Sequence, residues 1–329
     1  MTVSGGMTAT QVDPAPVAVA TFRHEAMFYS GDDGFLAGTV PFLTEAIAAE
    51  QPALVVVSEA HIDLLRSAIV RSGDYVFFAD MSSVGRNPAR IIPAWRKFLD
   101  SHASDGRPVR GIGEPIRPTR TPAEVVECHR HEALLNVAFA KSSPWWLMCP
   151  YDVQALAPQV VDEATRTHPF IRPAAGESVL SSAFRAEEMS ASHRSAPLTE
   201  PTRCLESMTF RVGQLALVRA LTEARASQFG LTETQLDDLV LAVHEIAANS
   251  VRHGGGQGRF RLWRDGRSLI AEISDRGTIT DPLAGREHPG ASSERGRGLW
   301  IANQVCDLVQ IRTYPSGSVV RLFISLAAT

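Results

Sequence analysis

The 329 residues are 44% hydrophobic and 21% charged, with a formal net charge of −4. This suits two domains with ordinary apolar cores and provides no basic surface for nucleic acid or an acidic membrane. The only lysines, Lys97 and Lys141, lie in no G-x-x-x-x-G-K-[ST] loop and no V-A-I-K strand, which argues against a P-loop NTPase and a eukaryotic-type protein kinase.

Residues 1–19 mix Thr, Ala, Val, Pro and Gly without a basic leader or a long apolar core, and read as a disordered tail. From 20 to 172 strands and helices alternate. Strands are expected at Ala53–Ser58, Tyr75–Ala79, Arg110–Gly113 and Trp145–Cys149. Helices are expected at Val40–Ala49, His61–Arg71, from Pro88 through Phe98, from Thr121 through Phe139, and at Gln154–Thr167. Pro88 suits a first helical turn and Thr121 an N-cap. Repeated β-α units of this length imply a parallel sheet covered on both faces. Ligands of such sheets sit beyond the carboxyl ends of the strands. Those ends carry Ser58-Glu59, Asp80-Met81, Gly113-Glu114-Pro115 and Cys149-Pro150-Tyr151-Asp152.

The set His24, Tyr29, Gly113-Glu-Pro, Glu132, Asn136, Cys149-Pro-Tyr-Asp and His168-Pro169 resembles the MEDS sensory domain, whose shape is related to RecA-like ATPases. Gly31-Asp-Asp-Gly-Phe35 falls where a P-loop would be, without its lysine. The resemblance implies a nucleotide-fold scaffold used for sensing. Cys128, His129, His131 and Glu132 invite a metal reading. However, His129 and His131 stand about 200° apart around a helix and cannot share an ion there. His131-Glu132 is similar to the acceptor box of histidine kinases, but lacks an adjacent helical hairpin with dimerisation heptads. Cys128, Cys149, Cys204 and Cys306 show no C-x-x-C pairing and read as reduced thiols of a cytoplasmic protein. No apolar run reaches the length of a membrane span.

Residues 173–202, rich in Ala, Ser, Pro and Glu, read as a linker with a short helix at Ser181–Met189. In 203–329 a strand at Leu205–Val212 and a helix at Gly213–Phe229 precede a long helix. Thr232 caps that helix with Gln235 in the reciprocal position, and Gly254-Gly255-Gly256 ends it. Leu239, Val243, Ile246 and Ala247 face inward. Glu245 and Asn249 sit about 40° apart on an adjoining side. Hairpins are expected through Asp265-Gly266 and Pro315-Ser-Gly317. Between them Asp275-Arg-Gly277 ends a strand, and Glu294-Arg295-Gly296-Arg297-Gly298-Leu299 opens another helix.

Glu-x-x-x-Asn, then strand-Asp-x-Gly, then Gly-x-Gly-Leu is the order of the N, G1 and G2 boxes. It resembles the GHKL (Bergerat) ATP-binding fold, and most of all the anti-sigma-factor serine kinases of the RsbW type. The expected architecture is α/β, a parallel RecA-like MEDS domain followed by an α/β-sandwich with helices on one face of a mainly antiparallel sheet.

The resemblance implies ATP and Mg²⁺ as cofactors. Glu245 would be the general base and Asn249 the Mg²⁺ ligand. Asp275 and Gly277 would receive adenine, while Gly296, Gly298 and Leu299, helped by Arg295 or Arg297, would hold the phosphates. It further implies a STAS-type anti-anti-sigma factor and a sigma factor as partners, and a homodimer. Thr278–Arg295 matches a mobile ATP lid, and Ile279 stands where the G1 box usually has a second glycine. An ATP-gated binding switch and a sensor histidine kinase are the alternative readings.

Overall fold

The computed structural model describes residues 22–69, 75–103, 106–142, 144–173, 176–290 and 296–326. The expected N-terminal tail lies outside them. The N-terminal half comprises β1 (Phe22–Tyr29), α1 (Gly31–Ala48), β2 (Ala53–Val57), α2 (Glu59–Ala68), β3 (Val76–Asp80) and the short α3 (Met81–Val84). After them come α4 (Ile91–His102), β4 (Val109–Gly113), α5 (Pro122–Ala138), β5 (Trp145–Asp152), α6 (Pro158–Thr167), β6 (Phe170–Arg172) and β7 (Val179–Leu180). The sheet order is β3-β2-β4-β5-β1-β6-β7, with every pair parallel except β6 and β7.

Apolar side chains fill both faces, as a parallel sheet requires. Phe35, Phe42, Leu43, Val55 and Leu65 cover one face, while Trp95, Leu134, Phe139 and Leu147 cover the other. Gly111 and Gly113 make room for an indole on β4. A Cβ on either would come within 3.0–3.1 Å of the Trp95 ring. The first helix begins at Gly31, nine residues before the expected Val40. Its first turn carries Asp32 and Asp33, so two carboxylates sit at the helix end where a P-loop would bind phosphate.

Helix α5 departs most from the amphipathic rule. A reciprocal capping box between Thr121 and Glu124 starts it, and every residue from Glu127 to Leu135 is buried. Its neighbours are the sheet, α6 and α7 (Ala186–Ser195). The segment read as a linker contains a short helix, as expected, at Ala186–Ser195 rather than Ser181–Met189, and it packs on α5 on one side and on the C-terminal sheet on the other.

The C-terminal half contains β8 (Glu206–Arg211), α8 (Leu215–Ala226), α9 (Glu233–His253), β9 (Gln257–Asp265), β10 (Ser268–Asp275), α10 (Arg297–Val305), β11 (Leu308–Tyr314) and β12 (Gly317–Ser325). Its five strands run β11-β12-β10-β9-β8, all antiparallel. The α9 capping box of Thr232 and Gln235 is present, and Gly255 and Gly256 past its end take left-handed φ of 86° and 81°. Leu239, Val243, Ile246 and Ala247 enter one core with Phe210, Phe260, Leu299 and Leu322. Among the described residues no helix is long and apolar enough to cross a membrane.

Trp95 is 1% exposed and fills the layer between α4 and the sheet. Trp95→Ala should destabilise the chain by about 3–5 kcal/mol, through lost transfer energy plus the cavity left over two glycines. Denaturant unfolding of the two proteins measures the difference.

Candidate functional site

Glu245 and Asn249 lie one helical turn apart on α9, both partly buried. The N-terminus of α10 is set against them. A Cβ built on Gly298 would lie 2.9 Å from Asn249 Nδ2 and 3.1 Å from Glu245 Oε2. Only a residue without a side chain allows this approach. Gly296, the N-cap of α10, has φ 83°, a left-handed turn that brings the chain into the helix. The helix's unpaired N–H groups and positive dipole end are thereby placed beside the carboxylate and amide. Arg297 is exposed at the first helical position, while Leu299 is 8% exposed and joins the core. Arg295 lies outside the described residues.

Asp275 and Gly277 meet α9 beside the same pair, at Ser250 and at the C-terminal end of the helix. Ser250 Oγ donates to Asp275 Oδ2 at 2.6 Å, and the Gly277 N–H donates to Oδ1 at 2.7 Å. Each oxygen keeps a second lone pair for an incoming donor. A Cβ on Gly277 would come 2.8 Å from the His253 carbonyl oxygen. The glycine is required by close backbone approach. Ile279, the departure from the G1 pattern, has its N–H donating to Ser318 Oγ at 3.2 Å and its carbonyl accepting from Thr313 Oγ1 at 3.2 Å. Ser318 Oγ also donates to the Gly277 carbonyl at 2.9 Å. The apolar side chain of Ile279 packs on the C-terminal core. Ile279 is not among the positive-φ residues, so position 279 needs no glycine here. Ser250, Thr313 and Ser318 were not picked out by sequence reasoning, because isolated hydroxyl residues on a helix and a hairpin carry no pattern.

The segment expected to be a mobile lid is docked on the N-terminal domain over much of its described length. Leu283 packs on the N-terminal core, and Glu287 pairs with Arg96 at 2.5 Å. Asn303 Nδ2 donates to the Gly285 carbonyl at 2.8 Å. Arg286 is 2% exposed and reaches Glu127 of α5, with Nη2 3.6 Å from Oε2. Arg312 of β11 pairs with the same carboxylate at 2.7 Å, and Arg130 lies 3.6 Å from it. One buried glutamate thus faces three buried arginines contributed by α5, the lid segment and β11. Burial, reinforced by neighbouring Arg130, pushes the Arg286 guanidinium down to about 9.

The N-terminal domain gathers polar groups at the carboxyl ends of its strands, as expected. The Tyr29 hydroxyl donates to Glu114 Oε1 at 2.8 Å, and His61 Nδ1 meets Glu114 Oε2 at 2.8 Å. Phe35 stacks on the His61 ring at 3.9 Å. The local metal reading of Cys128, His129 and His131 is excluded, and of that group only Glu132 belongs to a ligand cluster. Its companions are His24, Cys149 and His168, drawn from other elements. His131 is 1% exposed, which denies it access as a phosphoacceptor.

Burial disfavours a charge on His61, yet its hydrogen bond to Glu114 and the Glu114 charge outweigh this and raise its pKa above 6.5. A raised folded value means that the pair stabilises the fold fully below about pH 6.5 and that this contribution is lost as pH rises through the folded pKa. Unfolding midpoints should therefore fall across that interval. The fall should be smaller in His61→Asn, as denaturant titrations at several pH values would measure.

Two family matches accord with this geometry. Residues 23–169 match the family described as MEDS, the MEthanogen/methylotroph, DcmR Sensory domain. Residues 208–324 match the Histidine kinase-like ATPase domain. No curated protein matches the chain. Similar solved structures include the RsbU and RsbW domains of Rv1364c from Mycobacterium tuberculosis, at 18% identity and a TM-score of 0.29 over 38% of this chain and 33% of that one. Another is the Acinetobacter baumannii histidine kinase AdeS, at 16% identity and a TM-score of 0.22 over 38% of this chain and 69% of that one. The chain thus spans a third of the length of the first of these, and it is the two family matches that carry the assignment. The protein joins a MEDS domain at residues 23–169 to a histidine kinase-like ATPase domain at residues 208–324.

Proposed function

We propose that this protein is a cytoplasmic signalling regulator, an ATP-dependent serine/threonine kinase of the anti-sigma-factor type held under the control of its sensory domain. The observation that carries the reading is the seating of Gly298 against Glu245 and Asn249, with Asp275 braced by Ser250, the next residue of α9. ATP supplies the transferable phosphoryl group, and its polar features match the donors and acceptors present. Asp275 accepts from the exocyclic amine of adenine, and Gly277 lets the backbone approach the ring. The amide N–H groups at the start of α10 face the phosphates, helped by Arg297 and, outside the described residues, Arg295. Asn249 offers a hard oxygen to Mg²⁺. Glu245, beside the same helix end, takes the proton from an incoming serine or threonine hydroxyl. The substrate of this reading is a STAS-type anti-anti-sigma factor, with a sigma factor as binding partner and a homodimer as the working assembly.

Control is carried by α5. Its Glu127 pairs with Arg286 on the lid segment and with Arg312 on the ATPase sheet, so displacement of α5 strains both. Stapling of Ile279 by Ser318 and Thr313 favours a second reading, in which ATP binding without transfer gates a protein contact.

Glu245→Ala should retain ATP binding and lose phosphoryl transfer to a STAS substrate by roughly 10²–10⁴-fold, with acid-stable phosphate on the wild-type product. Unchanged transfer in the variant removes Glu245 as base. ATP binding by a wild type that transfers nothing to any STAS protein supports the gating switch.

Glu127→Ala leaves three buried arginines without their carboxylate, at a cost of about 3–5 kcal/mol. Faster amide hydrogen exchange over residues 280–288 is expected in the variant. Exchange unaltered there would show that Glu127 does not hold the segment.

A further inference from the structure

The core of the N-terminal domain contains four potential ligand atoms that the kinase reading does not use. His24 lies on β1, Glu132 on α5, Cys149 on β5, and His168 follows α6. Their ligand atoms all fall within 4.8 Å of one another, and the four residues are 0–1% exposed. His24 Nε2 is 3.1 Å from Glu132 Oε2, and His168 Nε2 is 3.3 Å from the same oxygen. Cys149 Sγ is 3.5 Å from His24 Nε2 and 3.6 Å from Glu132 Oε2. Zinc bond lengths in a regular tetrahedron give edges of roughly 3.3 Å between nitrogen or oxygen ligands and roughly 3.6 Å to sulfur. These contacts have the spacing of a coordination shell.

The surrounding hydrogen bonds fix the tautomers. Asn136 Nδ2 donates to the carbonyls of Glu132, Ala133 and Thr167 at 3.2, 3.4 and 2.8 Å, which turns its Oδ1 toward His24. His24 Nδ1 lies 3.3 Å from that acceptor, so it carries the proton. His168 Nδ1 lies 2.8 Å from the Ala164 carbonyl and carries its proton likewise. With the proton on Nδ1, the neutral form of each ring directs an Nε2 lone pair at the Glu132 carboxylate. Imidazole ligands of metals are oriented in this way by an acceptor on the other ring nitrogen. Glu132 Oε1 and the Tyr151 hydroxyl, both buried, have no hydrogen-bond partner among the described residues. Lone pairs converging in a dry core repel one another unless a cation lies between them.

We propose that His24 Nε2, Glu132, Cys149 Sγ and His168 Nε2 bind one zinc-class divalent cation. One thiolate and one carboxylate neutralise the ion, so the buried site carries no net charge. Two nitrogens, one sulfur and one oxygen select a borderline-soft ion over Mg²⁺ or Ca²⁺, which take oxygen shells. Four protein ligands close the coordination, as in structural sites. The ion ties β1, β5 and the end of α6 to α5, the helix that also holds Glu127 at the lid. This site is independent of whether the ATPase domain transfers phosphate.

The test is metal analysis of the full chain purified without chelator, followed by cobalt(II) titration of the chelator-stripped protein. One zinc per chain is expected, as is a visible spectrum of tetrahedral cobalt with a thiolate-to-cobalt charge-transfer band. Cys149→Ser should lose that band, while Cys128→Ser and Cys306→Ser keep it. Asn136→Ala, which leaves all four ligands in place, should weaken zinc affinity by about 10–100-fold. Absence of metal together with no tetrahedral cobalt spectrum in the wild type overturns the site, as does a charge-transfer band surviving in Cys149→Ser. If Cys149→Ser does not fold, the wild-type titration and Asn136→Ala decide alone, and unchanged affinity in Asn136→Ala counts against the assigned ligand set.

Discussion

A single buried carboxylate, Glu127, carries the connection between the two halves of this protein. It is 1% exposed, and it faces Arg130 of its own helix, Arg286 of the lid segment and Arg312 of the ATPase sheet. In low dielectric an ion pair is held by geometry as much as by charge, because a partner that moves away leaves a charge unsolvated. The arrangement also carries more positive than negative charge. Other contacts between the halves include Asn87 donating to Asn303, Arg86 beside Asp307, Arg96 paired with Glu287, Arg130 donating to the Ile311 carbonyl, and α7 packed between α5 and β11.

Helix α5 is therefore both a core element of the sensory domain and the face it presents to the ATPase domain. Its residues pass from one duty to the other within about two and a half turns. Glu127 and Arg130 face the ATPase side, whereas Glu132 and Asn136 face His24 and His168. The polar ends of the strands, where Tyr29, His61 and Glu114 meet, form a separate cluster of the same domain.

Local chemistry made the residues of the candidate site legible in the sequence. The i, i+4 pair of Glu245 and Asn249, the strand end at Asp275 and the glycines before α10 each have a backbone reason that short stretches of sequence encode. The Thr232 and Gln235 capping box and both hairpins were legible on the same grounds. What sequence reasoning missed is long-range and polar. β1 and β6 were not marked as strands: β1 carries buried His24 and Glu25 among its apolar residues, and β6 has only three residues. Helix α5 has no apolar stripe because it is buried on every side. Its partners, from His24 to Arg312, are separated from it by stretches that only the fold brings together. The lid segment was read as mobile from its Pro, Gly and Ser content and lack of periodicity, and the contacts it makes through Leu283, Arg286 and Glu287 carry no local pattern.

The contact between α9 and α10 is where ATP and Mg²⁺ would be held in the proposed function. Calorimetry of ATP binding to the full chain in the presence of Mg²⁺, alongside Asn249→Ala, tests it most directly. The account expects Mg²⁺-dependent binding by the wild type and its loss when the amide oxygen is removed. Equal affinity in the two proteins, or no binding by the wild type, would contradict it.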